Sequence, residues 1–388
     1  MVKDTKTFDA LIVGGGIHGC STALQLSNQG LICAVVEKDT VGRHASGVNA
    51  GGIRRLGRAF PEIPIADLSA KLWLEIEELT DDTCGFEATG QVKVAETKTD
   101  FHQLKERIKK VTAMGFHHEE ILDREELFDH LPALSNHCVG GVITKGDGYA
   151  DPLRTTQAFK KKSVKLGVKF FENTEVMSIK KTHKTWVTKT KYNTFLSKNV
   201  INCAGAWGQK IAGFLGDFIP IYPRAPMLMI TSPLPPFLTP VVGSESRALS
   251  FKQFPNGNVL IGGGYLGTVD PKINHTELNF RQLSNNVKTA HSLFPIIEKA
   301  SIVRAWAGIE GFTPDNLPII GPGHKNGVFH AFGFSAHGFQ MAPAVGKIIS
   351  DLIIATSHDY ALDAFRVNRF TKNAPLHQRA KIENSDFF

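Results

Sequence analysis

The sequence predicts an α/β fold in which a parallel-sheet domain is interrupted by insertions that build a second, mostly antiparallel domain. Residues 8–37 show an apolar run, a glycine-rich turn, a helical pattern and a second apolar run, which is the order of a βαβ unit. Residues 220–264 show short alternating runs broken by prolines, which is typical of antiparallel sheet. The 388 residues allow two or three domains at about 150 residues each.

The individual elements follow from hydrophobic period and turn residues. Short apolar runs predict strands at 8–13, 31–37, 168–171, 176–179 and 200–202. Helical patterns, the first closed by Gly30 and another opened by Asp151 and Pro152, predict helices at 20–28, 66–80, 100–114, 151–167, 279–294 and about 338–355. We expect residues 1–80, 145–218 and 301–388 to form the first domain, and residues 81–144 and 219–300 to form the second.

The net charge of +7 is concentrated in one segment. Residues 158–200 hold eleven lysines against Glu172 and Glu175, and no arginine. Base readout and bidentate phosphate binding usually rely on arginine, so we expect no nucleic-acid partner. The segment is interpreted as a solvated lysine-rich helix and hairpin, and the alternative is a docking surface for an anionic partner or a membrane surface.

Five cysteines are spread along the chain without a C-x-x-C motif. This pattern favours free structural thiols in a reducing compartment over disulfides or a zinc site. Residues 1–7 lack the apolar core of a signal peptide, and the apolar run 345–355 is interrupted by Lys347 and Asp351. We therefore expect a cytoplasmic protein without a membrane span and without a bound metal.

Gly14, Gly16 and Gly19 form a G-x-G-x-x-G motif between the first predicted strand and helix, and Glu37 ends the second strand 23 residues after Gly14. The first glycine makes a tight turn, the second admits a pyrophosphate, and the third allows close helix packing. The helix N-terminus attracts the phosphate charge, and Glu37 accepts hydrogen bonds from a ribose diol. Strand, helix and acid at these offsets predict a Rossmann-like dinucleotide site, for either NAD or FAD.

The segment after the second strand favours FAD. Residues 41–54 read VGRHASGVNAGGIR, a run of small and hydroxyl residues that lets a loop lie along a cofactor extending past the first crevice. An NAD enzyme would normally continue with another βα unit at this point, and this sequence does not.

Four motifs in this order resemble the D-amino acid oxidase superfamily of FAD-dependent flavoproteins. They are the fingerprint, loop 44–52, the segment NCAGAW at 202–207, and a C-terminal block with WAG at 306–308, TPD at 313–315 and GFSAHGF at 333–339. The nearest branch resembles glycine oxidase, monomeric sarcosine oxidase, the sarcosine oxidase β subunit, and the D-hydroxyproline dehydrogenase and opine oxidase subunits. The resemblance covers residues 8–355.

The resemblance implies an extended, non-covalent FAD, with its ribose on Glu37 and its adenine against Val176. Loop 46–52 would run past the ribityl chain towards the flavin, and a helix that starts near Gly338 would point its N-terminus at the flavin. Some relatives attach the flavin through a cysteine at the position of Gly308, so we expect no such bond here; His44 or His337 is the alternative attachment site. The implied cofactor contacts are Gly14, Gly16, Ile17, His18, Gly19, Glu37, Lys38, His44, Ala45, Ser46, Asn49, Ala50, Gly51, Gly52, Val176, Ala204, Gly205, Trp207, Gly308, Gly333, Ser335, Ala336, His337, Gly338 and Phe339.

The resemblance also implies oxidation of the C–N bond of an amino acid or secondary amine to an imine, by hydride transfer to flavin N5. The substrate would be a D-amino acid, sarcosine, hydroxyproline or an opine-like compound. Oxidases of this type place a lysine over the flavin, and its absence from the matching strand at 258–264 favours a dehydrogenase. The candidate catalytic residues are His337 and Glu310, and the candidate substrate-binding residues are Arg54, Tyr265 and Tyr222.

Arg54 matches the arginine that holds the substrate carboxylate in sarcosine oxidase-like relatives, and a guanidinium suits that role. The alternative for Arg54 is an arginine that braces a surface loop. Glu310 stands where glycine oxidase-like relatives carry an arginine. It either seats a cationic amine or forms a salt bridge with Arg224 or Arg247.

Two other functions stay open at this point. A flavin hydroxylase would share the N-terminal fingerprint, but it usually carries a Gly-Asp pair in a late motif that residues 321–335 do not match. A non-catalytic FAD-binding subunit of a multi-subunit dehydrogenase complex would use the lysine-rich hairpin or an edge strand as its docking surface. Independently of which function is correct, the protein is expected to assemble with a partner subunit or as a homo-oligomer.

Overall fold

The computed structural model describes residues 4–356 and 360–370. Residues 1–3, 357–359 and 371–388, which belong to the predicted first domain, lie outside the described residues. The strands are β1 (Asp4–Val13), β2 (Cys33–Val36), β3 (Gly52–Ile53), β4 (Gln91–Ala95), β5 (Glu120–Leu122), β6 (Gly140–Thr144), β7 (Gly148–Tyr149), β8 (Lys169–Phe171), β9 (Ser178–Lys181), β10 (Trp186–Lys189), β11 (Asn193–Asn202), β12 (Tyr222–Thr231), β13 (Val241–Ser244), β14 (Ser250–Gln253), β15 (Val259–Gly262), β16 (Leu266–Asp270), β17 (His275–Glu277), β18 (Ile302–Ala307), β19 (Glu310–Phe312), β20 (Ile319–Pro322) and β21 (Val328–Phe332). The α-helices are α1 (Ile17–Asn28), α2 (Ala45–Val48), α3 (Ile63–Leu74), α4 (Ile76–Thr80), α5 (Lys98–Ala113), α6 (Arg124–His130), α7 (Pro152–Lys165), α8 (Gly208–Leu215), α9 (Phe280–Leu293) and α10 (Ala342–Ile353).

The first sheet has the strand order β20-β21-β11-β1-β2-β8, and β1 pairs in parallel with β11 and β2. Successive residues of β1 face opposite sides, so Ile12 packs with helices α1 and α10, while Leu11 packs with Trp186 and Phe195 of the β9–β10–β11 hairpin. Both faces of the sheet are therefore covered, as its continuous apolar strands require. The carboxyl ends of β1, β2 and β11 meet at one edge, where α/β sheets bind ligands.

The second sheet follows the order β17-β16-β12-β15-β14-β13-β4-β6-β5, and β18 and β19 also pair with β12. Its pairs are antiparallel except for β13 with β4. Helix α9 packs on this sheet through Leu283 and Leu293, in one core with Phe251 and Ile261. These two sheets confirm the predicted α/β fold class with its antiparallel second domain, and the exact domain boundaries stay a prediction.

The last long helix begins later than the sequence predicts. It starts at Ala342 rather than near Gly338. Ser335 and Ala336 have φ angles of 50° and 68°, which a right-handed helix does not admit, and Pro343 lies in the first turn of α10. Residues 333–341 therefore form a turn segment, which presents individual backbone groups instead of a helix N-terminus.

Three other elements also differ in extent from the prediction. Strand β11 starts at Asn193 because residues 194–197 pair with β10, and the lysine-rich hairpin thus extends the sheet. Val176 precedes strand β9 instead of opening it. The helix expected at 66–80 is two helices, α3 and α4, and α3 begins at Ile63 with Pro64 in its first turn, where proline is well suited.

Within the described residues, no helix is long and apolar enough to cross a membrane. The five cysteines are buried and free. In the same part of the chain, no group of three or more His, Cys, Asp or Glu side chains is arranged to hold a metal ion.

Candidate active site

A cavity of about 800 Å³ lies between the two sheets. On one side it is lined by the ends of β1, β2 and β11, through Val13, Val36 and Cys203. On the other side it is lined by strands β4, β13 and β14 of the antiparallel sheet. A site between a switch point of a parallel sheet and a second domain is a common position for a cofactor and its substrate.

The fingerprint glycines form a cradle that side chains would fill. A Cβ atom on Gly14, which has a φ of 111°, would lie 2.4 Å from the Cys203 carbonyl oxygen, and one on Gly19 would lie 2.0 Å from the Gly14 carbonyl oxygen. A Cβ on Gly16 would meet only Ser46 Oγ, at 2.8 Å. That hydroxyl accepts a hydrogen bond from the Ile17 backbone N–H at the start of α1. Gly16 thus opens directly onto a helix N-terminus, which fits a pyrophosphate.

The end of the cavity near β2 fits an adenosine. The buried Glu37 carboxylate accepts hydrogen bonds from the backbone N–H of Gly15, at 2.6 Å, and of Asp39, at 2.8 Å. Burial nevertheless raises the pKa of Glu37. The Lys38 ammonium lies 3.3 Å from the centre of the Trp207 ring. An acid next to an aromatic wall is suited to a ribose and an adenine ring.

Loop 44–52 forms the wall of the cavity that leads towards the second sheet. The Trp306 indole N–H donates to the Val48 carbonyl oxygen at 2.8 Å, and a Cβ on Gly308 would lie 2.5 Å from Val48 Cγ2. Asn49 accepts from the Gly51 backbone N–H at 2.8 Å. The loop is thus fixed from both sides, and its small residues leave room for a planar ring. These features together fit an extended FAD.

Lys252 is a buried residue at this loop that the sequence reasoning missed. It lies on β14, directly opposite Leu260 of the strand in which the resemblance implies a lysine, and only 2% of its surface is exposed. Its ammonium donates to the Ala50 carbonyl oxygen and lies 4.7 Å from the centre of the Tyr149 ring. Burial lowers the pKa of Lys252 to about 7. A lone lysine in the run SFKQF was the available signal.

The Lys252→Met variant is expected to flatten the pH dependence of stability. The unfolded chain holds the lysine proton up to its ordinary pKa of 10.5, whereas the folded protein releases it at about 7. Stability therefore rises with pH between about 7 and 10.5, by at most about 1.4 kcal/mol per pH unit from this group. Tm measured from pH 6.5 to 9.5 should rise less in the variant. Parallel Tm curves would contradict this, and Lys109→Met, at an exposed helix position, is the control.

Of the adjacent arginines Arg54 and Arg55, Arg54 is the one whose guanidinium is available to a ligand. Arg55 is bound by Asp147 and Asp67. Arg54 donates to the Leu56 carbonyl oxygen at 2.8 Å and lines the cavity, and within the described residues no carboxylate lies within 4.0 Å of its guanidinium. Burial lowers the pKa of Arg54, but an arginine stays charged. A half-buried guanidinium in a cavity, with no carboxylate partner among the described residues, is suited to the carboxylate of a ligand.

His337 is held by two charged residues, Arg58 and Glu62, that no sequence motif marks as part of the site. Its Nδ1 lies 3.1 Å from both Arg58 Nη1 and Glu62 Oε1, and Arg58 also donates to the His337 carbonyl oxygen at 2.7 Å. Burial favours the neutral acid at Glu62, but His337 and Arg58 hold the pKa of Glu62 below its ordinary value. Since Nδ1 is engaged by the protein, Nε2 is the nitrogen of His337 that a ligand can reach.

Glu310 lies in the cavity and makes neither of the expected salt bridges. Arg247 is bound by Glu96, through Nε at 2.7 Å and Nη2 at 2.5 Å, and Arg224 lies over the Phe312 ring. The Ala336 backbone N–H donates to the Glu310 carboxylate. Burial raises the pKa of Glu310 to about 7. Since no cation among residues 4–356 and 360–370 forms a salt bridge with it, the Glu310 carboxylate is left to pair with a ligand amine.

Most of the residues expected from the sequence come together at the cavity. Tyr265 packs against the second core with its hydroxyl 3.5 Å from Thr289 Oγ1, and Tyr222 is 52% exposed, so neither reaches the cavity. Gly19 and Gly51 do not line the cavity themselves. Gly19 lies against the Gly14 carbonyl oxygen, and Gly51 donates its backbone N–H to Asn49. The expected residues that line it are Gly14, Gly16, Ile17, His18, Glu37, Lys38, His44, Ala45, Ser46, Asn49, Ala50, Gly52, Arg54, Val176, Ala204, Gly205, Trp207, Gly308, Glu310, Gly333, Ser335, Ala336, His337, Gly338 and Phe339.

Comparisons with known proteins agree with a flavin site. The model of the family described as FAD dependent oxidoreductase (DAO) matches residues 9–352. A glycine oxidase of Geobacillus kaustophilus is 26% identical over 375 residues, which cover 94% of this chain and 98% of that protein. The mitochondrial dimethylglycine dehydrogenase of Homo sapiens is 25% identical over 94% of this chain, which spans only 44% of that longer protein. The crystal structure of an L-proline dehydrogenase from P. horikoshii superposes with a TM-score of 0.88 at 26% identity, covering 96% of this chain and 100% of that one.

Proposed function

Because the chain belongs to the DAO family of FAD-dependent oxidoreductases, we propose that it oxidises the C–N bond of an amino acid or secondary amine to an imine. The observation that carries this proposal is one cavity with two groups of opposite charge, the Arg54 guanidinium and the Glu310 carboxylate, that form no salt bridge with any residue the structure describes. An α-amino acid presents the complementary pair, a carboxylate and an amine. The names of the similar proteins, a glycine oxidase and an L-proline dehydrogenase, support the same substrate class.

Arg54, Glu310 and His337 each have a separate role in the proposed reaction. FAD, when bound, supplies the redox chemistry by accepting a hydride from the carbon that bears the amine. Arg54 binds the carboxylate and fixes the orientation of that carbon. Glu310 binds the amine, and His337 Nε2 can hold or release the amine proton while Arg58 and Glu62 keep its ring in place.

Glu310→Gln tests the amine contact through its pH dependence. Glu310 has a pKa of about 7, so it is neutral below that pH and charged above it. We expect wild-type kcat/KM to rise as the pH increases through 7 and then to level off. In Glu310→Gln this rise should be lost, and kcat/KM at pH 8 should fall about 10- to 100-fold because a charged hydrogen bond is missing. Unchanged kcat and KM with an unchanged pH profile would show that Glu310 does not bind the amine. Glu298→Gln, at an exposed position, is the control.

Product analysis tests the reaction itself. The FAD-loaded protein is incubated with an electron acceptor and a panel of D- and L-amino acids, sarcosine, prolines and opines. The proposal predicts an imine that hydrolyses in water. An open-chain substrate then gives a carbonyl product with one equivalent of ammonia or amine, and a proline gives a single ring-opened amino-carbonyl compound. A hydroxylated product would support the hydroxylase alternative instead.

Several expectations remain proposals beside this one. FAD is proposed to be held without a covalent bond, since Gly308 stands in the cavity at the position of the relatives' cysteine. Cytoplasmic location and assembly with a partner subunit also stay predictions. The lysine-rich segment is partly neutralised, because Lys160 pairs with Glu172 and Lys198 with Asp9, which supports a solvated surface.

A further inference from the structure

The wall of the cavity opposite the fingerprint carries a charge that simple amino acids do not require. Strand β4 alternates, with Val92 and Val94 in the core of the antiparallel sheet and Gln91 and Lys93 lining the cavity. The residue beside Lys93 on β13 is Gly243, which has no side chain to cover it. The lysine is therefore presented to the cavity by the register of the sheet.

Lys93 and Arg54 share one region of the cavity. The position of a Cβ on Gly57 lies 3.5 Å from Arg54 Nη1 and 3.7 Å from Lys93 Nζ. Arg54 comes from the loop after β3, whereas Lys93 comes from the other sheet, so two separate parts of the chain bring positive charge to one place. Two neighbouring cations repel each other, and a ligand with negative charge relieves that repulsion.

The ion pair with Glu245 leaves N–H donors of the Lys93 ammonium available for a ligand. Lys93 forms an ion pair with Glu245, and their side chains are 28% and 18% exposed. An ammonium has three N–H donors, so Lys93 can hold Glu245 and a second carboxylate together. Arg247, the remaining cation on this wall, is different, because two of its nitrogens are bound to Glu96 and one also reaches Ser292. Lys93 is thus the cation of this wall that is open to a ligand.

We propose that the substrate carries two carboxylates, one bound by Arg54 and the other by Lys93. Dicarboxylic amino acids and N-carboxyalkyl amino acids have this chemistry. The inference rests on the proposed function, because it takes the Arg54 carboxylate site as its starting point. Lys93 acts as a specificity-determining residue, and Glu245 shares its ammonium with the ligand.

Binding of non-oxidisable carboxylates, followed by the absorbance change of the bound flavin, tests this inference without turnover. Propionate and succinate differ by one carboxylate, and so do acetate and malonate. We expect the dicarboxylates to bind at least about 10-fold more tightly than the monocarboxylates. Lys93→Met and Lys93→Gln should abolish this difference and leave monocarboxylate binding unchanged. Glu245→Gln should keep the difference or increase it, because it leaves more donors of Lys93 for the ligand.

The same variants are then compared on two amines that also differ by one carboxylate, sarcosine and iminodiacetate. The ratio of their kcat/KM values should favour iminodiacetate in the wild type and fall about 10- to 100-fold in Lys93→Met. Lys109→Met, which breaks an exposed lysine–glutamate pair on α5, should leave the ratio unchanged.

The outcomes separate the two proposals. If succinate and propionate bind equally and Lys93→Met changes neither, the second carboxylate is ruled out while the Arg54 site stands. If no carboxylate perturbs the flavin in the wild type, or if Arg54→Met binds them all normally, the carboxylate site of the proposed function fails first.

Discussion

The Gly16→Leu variant is expected to be folded, colourless and unable to retain FAD. Gly16 has φ −75° and ψ −179°, a conformation that any residue adopts, so the backbone tolerates the change. Its new side chain would displace Ser46 Oγ and fill the cradle at the start of α1. Charged hydrogen bonds of about 1.5–3 kcal/mol each are lost with the pyrophosphate, so the Kd for FAD should rise by 100-fold or more. Fluorescence titration of the apoprotein with FAD measures it.

The control for this variant is Gly213→Ala. Gly213 lies in helix α8, and a Cβ there meets nothing within 4 Å. It should bind FAD like the wild type. Circular dichroism and Tm of the apoproteins should agree for both variants and the wild type. A yellow Gly16→Leu protein with unchanged FAD affinity would show that the cofactor does not occupy the cradle.

The Arg54→Met variant is expected to lose 100- to 1,000-fold or more in kcat/KM, mainly through KM. The guanidinium is half-buried and has no carboxylate partner in the described residues, so the substrate carboxylate would lose its counter-charge inside the cavity. A contact of this kind, truncated on one side, costs about 2–5 kcal/mol. Steady-state kinetics with the best substrate of the panel measures the loss. Arg54→Lys should recover part of it, because it restores the charge but not the two-pronged geometry.

Arg281→Met, at an exposed position of α9, is the control for Arg54→Met and should keep wild-type constants. Binding of FAD should also be unchanged in Arg54→Met. An Arg54→Met enzyme with normal KM would identify Arg54 as a residue that braces its loop.

The cofactor half of the site could be predicted because its signals are local. The turn at Gly14, the helix behind Gly19 and the acid at Glu37 each depend on a few neighbouring residues, and the structure places them where those residues require. The parallel and antiparallel sheets likewise followed from continuous and alternating apolar runs. The start of α10 was misplaced because the positive φ angles of Ser335 and Ala336 leave no compositional trace.

The substrate half depends on contacts between distant segments, which a single sequence does not reveal. Lys252 meets the loop at Ala50 from a strand 202 positions later, and His337 meets Arg58 across 279 positions. Lys93 has no local signal of its own, because only the register of β4 against β13 presents it to the cavity, and only the fold brings it near Arg54. Tyr265 was expected in the pocket because it follows three glycines, yet its side chain, in the turn before β16, packs against the core of the second sheet.

The visible spectrum of the purified protein, recorded during anaerobic addition of the amine panel, tests the central claim most directly. We expect a yellow protein whose flavin absorbance is bleached by at least one amino acid or secondary amine, in proportion to the amine added. The bleaching should be slowed in Arg54→Met and in Glu310→Gln. A yellow protein that sodium dithionite reduces but no amine of the panel bleaches would contradict the account.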